Sequence, residues 1–263
     1  MRLRPTRLPT QRFPSRLPPT DHGCRFAAAH ALYDVRVISF DRRTFLAFGA
    51  ITIVAGCSSK QSADGGEGPR GTAAVGTIGS SRGAITSVAM VGDSITEGSA
   101  EAITATLTGA GVSDLRIDGR HSRRIEVGNG KGDAPLSGII TVYNLLAEGA
   151  DPDVWVIELG TNDVGSYSGA DEYGALIDKI TAMLPEKPLV WVNTYRSQYL
   201  DDTILFNTVL AERMKARGDA VVADWFSVAS APDQTVLRSD NLHPNENGRL
   251  ALSLLVLQAL QQL

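Results

Sequence analysis

The chain has 263 residues, 43% of them hydrophobic and 21% charged. The apolar share matches ordinary globular proteins, which excludes a wholly disordered chain, and the length suffices for one or two domains with a sizeable core. No apolar run reaches the roughly 18 residues that span a bilayer, so a multi-pass membrane protein is excluded. The two cysteines, Cys24 and Cys57, are too few for a disulfide framework or a cysteine-rich metal site. The net charge of −4 is unevenly spread: residues 1–56 hold nine Lys and Arg against three Asp and Glu, and the rest of the chain holds 16 against 26. A domain that acidic argues against nucleic acid as a partner, because a phosphate backbone needs a basic surface.

Residues 1–40 are rich in Arg and Pro, show neither helical nor strand periodicity, and are expected to be an unstructured extension. A translation start near Val37 would leave only a short basic segment ahead of the apolar run that begins at Phe45. Residues 41–57 read as an export signal. Arg42 and Arg43 form its charged region, Phe45 to Ala55 its apolar stretch, and Val54-Ala55-Gly56-Cys57 closes it. The closing tetrapeptide resembles a bacterial lipobox, in which the cysteine thiol takes the lipid, and Arg-Arg-x-Phe-Leu resembles a twin-arginine signal. Residues 58–86 are rich in Gly and Ser and are expected to be a flexible tether spanning on the order of 30 Å. Two motif matches in this stretch, GxGxxG at 66–71 and GxSxG at 79–83, lack the preceding strand that either would need.

From Ser87 to the end, strands alternate with helices. Ser87–Val91 is a short strand, residues 95–109 a helix, and Leu115–Ile117 a second strand. Asp133-Ala134-Pro135 offers an N-cap and an early proline for a helix to about Gly149. Val154–Leu159 is a third strand, followed by a helix bearing Tyr173, Leu176, Ile177, Ile180 and Leu184. Leu189–Val192 is a fourth, then a helix capped by Asp201 and ended by Gly218. Ala220–Ala223 is a fifth strand, and a loop from Trp225 leads to a helix over 246–262. This alternation predicts a parallel sheet covered on both faces, with functional groups beyond the carboxyl ends of the strands.

Polar residues cluster at those ends. Ser94 follows the first strand, Asp118 to Ser122 the second, Asn162 and Asp163 the third, and Asp240 and His243 lie on the long loop after the fifth. A serine hydroxyl is a weak nucleophile until a base takes its proton. His243 has Asp240 three residues earlier, able to hold the imidazole in one tautomer. His121 has Asp118 at the same spacing, but its loop carries Arg120, Arg123 and Arg124, which would oppose an imidazolium. The three arginines read as a solvated loop face, with steering of an anionic substrate as the alternative. The Ser94 N–H and the Asn162 amide are candidate donors to a tetrahedral oxyanion, with a third N–H from residues 119–122. Trp155, Trp191 and Trp225 read as packing residues.

GDSI at 92–95, GTND at 160–163 and DNLHP at 240–244 resemble the first, third and fifth blocks of the SGNH (GDSL-type) hydrolases, in order and at matching intervals. The resemblance covers about residues 87–262. It implies a three-layer α/β/α flavodoxin-like fold with a five-stranded parallel sheet, no metal or other cofactor, and ester hydrolysis through an acyl-serine. It also implies Ser94, Asp240 and His243 as catalytic residues and Ser94, Ser122 and Asn162 as the oxyanion hole. Ile117–Arg124 is similar to the extracellular O-acetyl-transferring branch, where a glycine supplies the second-block donor. Ser122 stands there in this chain, unless a shifted register puts Gly119 in the role. A serine would serve unless the site requires a positive φ. The expected protein is therefore a serine esterase, lipidated at Cys57, tethered to the outer face of a bacterial cytoplasmic membrane and acting on short acyl esters of an envelope glycan or glycolipid. The alternatives are an O-acyltransferase and a non-catalytic binding module.

Overall fold

The computed structural model describes residues 83–232 and 235–263, with the backbone of Val37–Ile38 and Gly79–Ser80. The export signal, the lipobox with Cys57 and most of the tether lie outside these residues. Strands β1 (Val37–Ile38), β2 (Gly79–Ser80) and β3 (Gly83–Ala84) are two residues each. β2 and β3 pair antiparallel, so the first two residues and the last glycine of the GxSxG match lie on paired strands, not where a strand meets a helix. The domain core begins earlier than expected, at Ile85, which is buried.

Five longer parallel strands follow: β4 (Ser87–Gly92), β5 (Asp114–Gly119), β6 (Val154–Glu158), β7 (Leu189–Val192) and β8 (Ala220–Ala223). Their spatial order is β5-β4-β6-β7-β8, the flavodoxin-like order. β1 adds a sixth, two-residue strand parallel to β8, pairing Val37 with Val222 and Ile38 with Ala223. It was not expected in residues 1–40. The β8 edge otherwise presents unpaired backbone groups, and these are what β1 meets.

The helices are α1 (Ser94–Gly109), α2 (Gly138–Ala147), α3 (Ala170–Thr181), α4 (Leu200–Arg217), α5 (Trp225–Ala229) and α6 (Glu246–Leu260). β4, β6, β7 and β8 are largely apolar because both faces are buried, whereas the edge strand β5 alternates polar and apolar residues. Val88, Met90, Val154, Val156, Val190, Val192 and Val221 face one core, shared with α1 and α6. Ala89, Val91, Trp155, Ile157, Leu189, Trp191 and Val222 face the other, shared with α2, α3 and α4. All three tryptophans are 0% exposed, as their reading as packing residues required.

Two helix starts and one whole helix differ from expectation. α2 starts at Gly138 and not after Asp133, with Ser137 as its cap. The segment before it is tied back to an earlier loop, since the Ser137, Gly138 and Ile139 N–H groups donate to Gly128, Arg124 and Ile125 carbonyls. α4 begins at Leu200 after a 3₁₀ turn at Ser197–Tyr199, so Asp201 sits in the first turn rather than capping it, still favourable beside the helix N-terminus. α5 was not anticipated at all.

The chain leaves β4 toward the β5 edge and returns across it to β6, so the loops after β4 and β6 diverge and open the crevice where such sheets bind ligands. Gly119, at the end of β5, lies against the first turn of α1, and a Cβ there would run into the Glu97 backbone. This close approach accounts for Gly119 without a role in chemistry. Gly119→Ala is expected to destabilise the domain by about 1–3 kcal/mol, as overpacking does. A chemical denaturation curve is the measurement, and a variant as stable as the parent would show that the approach is not tight.

Candidate active site

Ser94 is the first residue of α1. Asp93 caps the helix, its Oδ1 accepting the Ile95 N–H at 2.9 Å, which leaves the half-buried Ser94 at the crevice. Ser94 Oγ lies 3.0 Å from His243 Nε2, and His243 Nδ1 lies 2.9 Å from Asp240 Oδ2.

The loop holding this pair is built from its own backbone. The Arg238 N–H donates to His243 O, the Asn241 N–H to Arg238 O, and Asn241 adopts φ 55°. Asn245 then caps α6, and its amide also donates to Thr235 O and Leu237 O. Asp240 Oδ1 accepts the N–H groups of Leu242 and His243 at 3.0 and 2.9 Å. Slight burial pulls the Asp240 carboxyl upward, but the bonds from the His243 N–H, the His243 ring and the Leu242 N–H outweigh it and hold it down at about 2. Asp240 is thus ionised at any neutral pH, the state that holds an imidazole N–H and supports an imidazolium.

His121 is placed elsewhere. It is exposed, its N–H donates to Glu97 Oε2 at 2.8 Å, and its ring faces the same carboxylate. Asp118 pairs with Arg123 instead. The reading of the three arginines as one solvated face is corrected. Arg120 is exposed beside Glu97, but Arg123 is only 3% exposed. Its guanidinium donates to Gly92 O, Asp118 O, Asp118 Oδ1 and Leu136 O, stapling the ends of β4 and β5 to the following loop. Arg124 pairs with buried Asp163 and lies over the Tyr167 ring.

Asn162 sits in the turn after β6. Its Nδ2 donates to Asp93 Oδ2 at 3.2 Å and to Arg123 O at 3.1 Å. One amide therefore bridges the residue before Ser94 and the residue after Ser122. Ser122 itself has φ 57°, so the position does demand the left-handed region that glycine enters freely. Neither the Ser94 nor the Ser122 N–H has a protein partner among the described residues. Beneath the turn, Asp163 accepts the Ile125 N–H at 3.1 Å, and burial pushes its carboxyl up to about 6. Among the described residues no group of three or more His, Cys, Asp or Glu is placed to hold a metal ion.

Three polar residues of the crevice were missed from sequence. Asp93 was given no role beyond its place in the GDSI motif, Arg123 was taken as a surface charge, and Glu158 as part of an apolar strand. Glu158 did carry a signal: a lone carboxylate closing the run Val-Trp-Val-Ile is costly to bury unless it is partnered.

The sequence from 90 to 250 matches the model of the GDSL-like lipase/acylhydrolase family. The chain belongs to this family. That membership makes it a carboxylic ester hydrolase by class. No curated protein matches the sequence. Among solved structures, the C-terminal catalytic domain of Streptococcus pneumoniae peptidoglycan O-acetyltransferase A is similar with a TM-score of 0.54 and 18% identity, covering 67% of this chain and 93% of that one. A lipase/acylhydrolase from Enterococcus faecalis gives 0.54 and 16%, covering 66% and 95%. The esterase EstA of a Pseudoalteromonas species gives 0.50 and 16%, covering 67% and 97%. At these identities the likeness extends to the fold, the three-layer α/β/α arrangement with a five-stranded parallel sheet.

A serine at φ 57° carries strain of about 1–2 kcal/mol that glycine does not, against roughly 0.5–1 kcal/mol of extra chain entropy that glycine loses on folding. Ser122→Gly is therefore expected to raise stability by up to about 1 kcal/mol and to keep turnover. Ser122→Val, β-branched at a positive φ, should lower stability. Melting temperatures of the two variants check both, and a stabilised valine variant would refute the strain.

Proposed function

We propose that the protein is a membrane-tethered serine esterase that removes short acyl groups from an envelope glycan or glycolipid through an acyl-serine. One observation supports the serine-esterase part of this reading: the run of contacts from Ser94 Oγ to His243 Nε2 at 3.0 Å and from His243 Nδ1 to Asp240 at 2.9 Å. In the proposed sequence His243 Nε2 takes the Ser94 hydroxyl proton as Oγ attacks the ester carbonyl carbon. The negative charge that moves to the carbonyl oxygen is met by the N–H groups of Ser94 and Ser122 and by the Asn162 amide, which keeps one N–H on Asp93 Oδ2 and turns the other from Arg123 O to the oxyanion. The imidazolium, supported by Asp240, gives its proton to the departing alkoxide, leaving Ser94 acylated. A water then attacks the acyl carbon, losing its proton to His243, and the proton returns to Ser94 as the acid leaves.

The tether rests on sequence alone: the order of basic region, apolar stretch and Cys57, with the Gly/Ser-rich segment after it. Acylation of Cys57 and cleavage before it would place the folded domain on the outer face of the cytoplasmic membrane, which is what suggests an envelope substrate. A transferase would use the same acyl-serine but pass the group to a sugar hydroxyl. Incubating the purified domain with p-nitrophenyl acetate and a glycan acceptor separates the two, by free acetate or by acylated acceptor.

Ser94→Ala is expected to abolish turnover and labelling by a fluorophosphonate while leaving the fold intact, and His243→Ala to reduce turnover comparably. Asn162→Ala should lower kcat on the order of 10²–10³-fold with little change in KM, because the amide acts on charge that develops only in the transition state. Labelling that persists in Ser94→Ala, or a normal kcat in folded Asn162→Ala, would remove that residue from the mechanism. For the tether, mass spectrometry of the mature N-terminus should find a lipidated Cys57, and an unmodified Cys57 within an intact chain would refute it.

A further inference from the structure

The acyl-serine mechanism leaves one buried carboxyl group of the crevice unused. Glu158 ends β6 directly below the Ser94 turn and is 1% exposed, and Asp93 against it is 0% exposed. Glu158 Oε2 accepts the Asp93 N–H at 3.3 Å, the Thr96 N–H at 3.2 Å and the Thr96 hydroxyl at 2.8 Å. Gly92 leaves room for this, since a Cβ there would collide with Thr96 Oγ1 and press on Glu158 Oε2. The two carboxyl groups are thus buried in one junction, with Glu158 Oε2 against the Asp93 backbone and each carboxyl in the other's field. One of them keeps a proton, because two carboxylates this close and away from water repel too strongly to be ionised together.

The remaining charged groups around the pair come from the neighbouring elements. Asp163 and His243 act on Asp93 through space, and Arg123 reaches Gly92 O at 2.9 Å. Among the described residues no cation forms an ion pair with either carboxyl group. Each Asp93 oxygen already accepts a bond, Oδ1 from the Ile95 N–H and Oδ2 from the Asn162 amide, whereas all three donors to Glu158 converge on Oε2, which leaves Oε1 as the oxygen to carry the proton. Burial, and after it the charge of Asp93, push Glu158 well above the usual carboxylate range, while burial moves Asp93 only to about 6, in the same sense.

We propose that Glu158 is a positioning residue for the Ser94 site, carrying the single proton of a buried Asp93–Glu158 pair and so holding Asp93 as the acceptor that orients the Asn162 amide. The proton has two effects. It fixes the Asp93 carboxylate by a donated O–H, and it keeps a second negative charge out of the region where the oxyanion forms. This inference rests on the serine reading of the site.

The test compares Glu158→Gln and Glu158→Ala in the folded domain. Glutamine imitates the protonated acid: one oxygen for the Thr96 and Asp93 donors and one N–H for the Asp93 carboxylate. Glu158→Gln is expected to keep kcat for p-nitrophenyl acetate within about fivefold of the parent. Glu158→Ala is expected to lose more than about tenfold in kcat with KM changed by less than about twofold. At pH 8 the parent should show the infrared carbonyl band of a protonated carboxyl, and Glu158→Gln should lack it. A parent-like kcat in Glu158→Ala, a Gln variant no better than Ala, or no such band would overturn the proposal. Fluorophosphonate labelling keeps the two readings apart: if Ser94 is not labelled in the parent, the serine reading itself fails. If Ser94 is labelled and any of those three results appears, only the role of Glu158 fails.

Discussion

The rim of this sheet depends on one junction, where the β4–α1 turn meets the end of β6 and two acids are buried together. A parallel sheet whose order reverses between β4 and β6 opens a crevice there but does not say how its walls are held apart or in register. Asp93 and Glu158 supply that constraint. Asp93 caps α1 while accepting from Asn162 across the crevice, and Glu158 reaches back from β6 to the backbone of the same turn. The cost of burying carboxyl groups is offset by five N–H or O–H donors given to the pair, so removing one member leaves several polar groups unsatisfied at once.

Around this junction the other groups are held with different stiffness. Ser94 is set by a helix start, Asn162 by a turn whose Asp163 holds the Arg124 guanidinium and the Ile125 N–H, and Ser122 by the buried guanidinium next to it. His243 and Asp240 come instead from a loop, with 33% and 46% of their side chains exposed. Backbone hydrogen bonds within 235–245 and the Asn245 cap make that loop a closed unit rather than a tether. The base thus reaches Ser94 from the solvent side, while the proposed oxyanion donors are fixed from the core side.

Much of this was legible in the chain itself. Apolar runs of strand length located β4, β6, β7 and β8, where burial on both faces imposes that pattern, the Leu115–Ile117 alternation located β5, and helical periods located five of the six helices. The polar residues at the strand ends could be named because a parallel sheet puts its loops on one rim. What escaped was decided by contacts between distant segments. Pro135 gives a sound local reason to start a helix, but hydrogen bonds from 137–139 to the 124–128 backbone move the start to Gly138. Arg123 looks like its two neighbours in sequence, and only the meeting of the β4 and β5 ends turns it inward. Asp118 and Asp240 stand at the same distance before a histidine, yet one is taken by Arg123 and the other is left for His243.

Ser122 shows where local and functional demands diverge. Its positive φ is a poor choice for a residue with a side chain, and local propensity would replace it with glycine or straighten the loop. The loop cannot straighten while Arg123 is anchored to Gly92 O, Asp118 O and Leu136 O and its own carbonyl accepts from Asn162. Residue 122 therefore takes whatever φ the anchored residue after it requires. The strain of about 1–2 kcal/mol is small against the four guanidinium hydrogen bonds that impose it. The free N–H at 122 is then a consequence of the bend: a residue turned into the left-handed region between an anchored strand end and an anchored arginine has no carbonyl within reach. An amide left without a protein acceptor at the mouth of a crevice is the kind of group that an oxyanion can use.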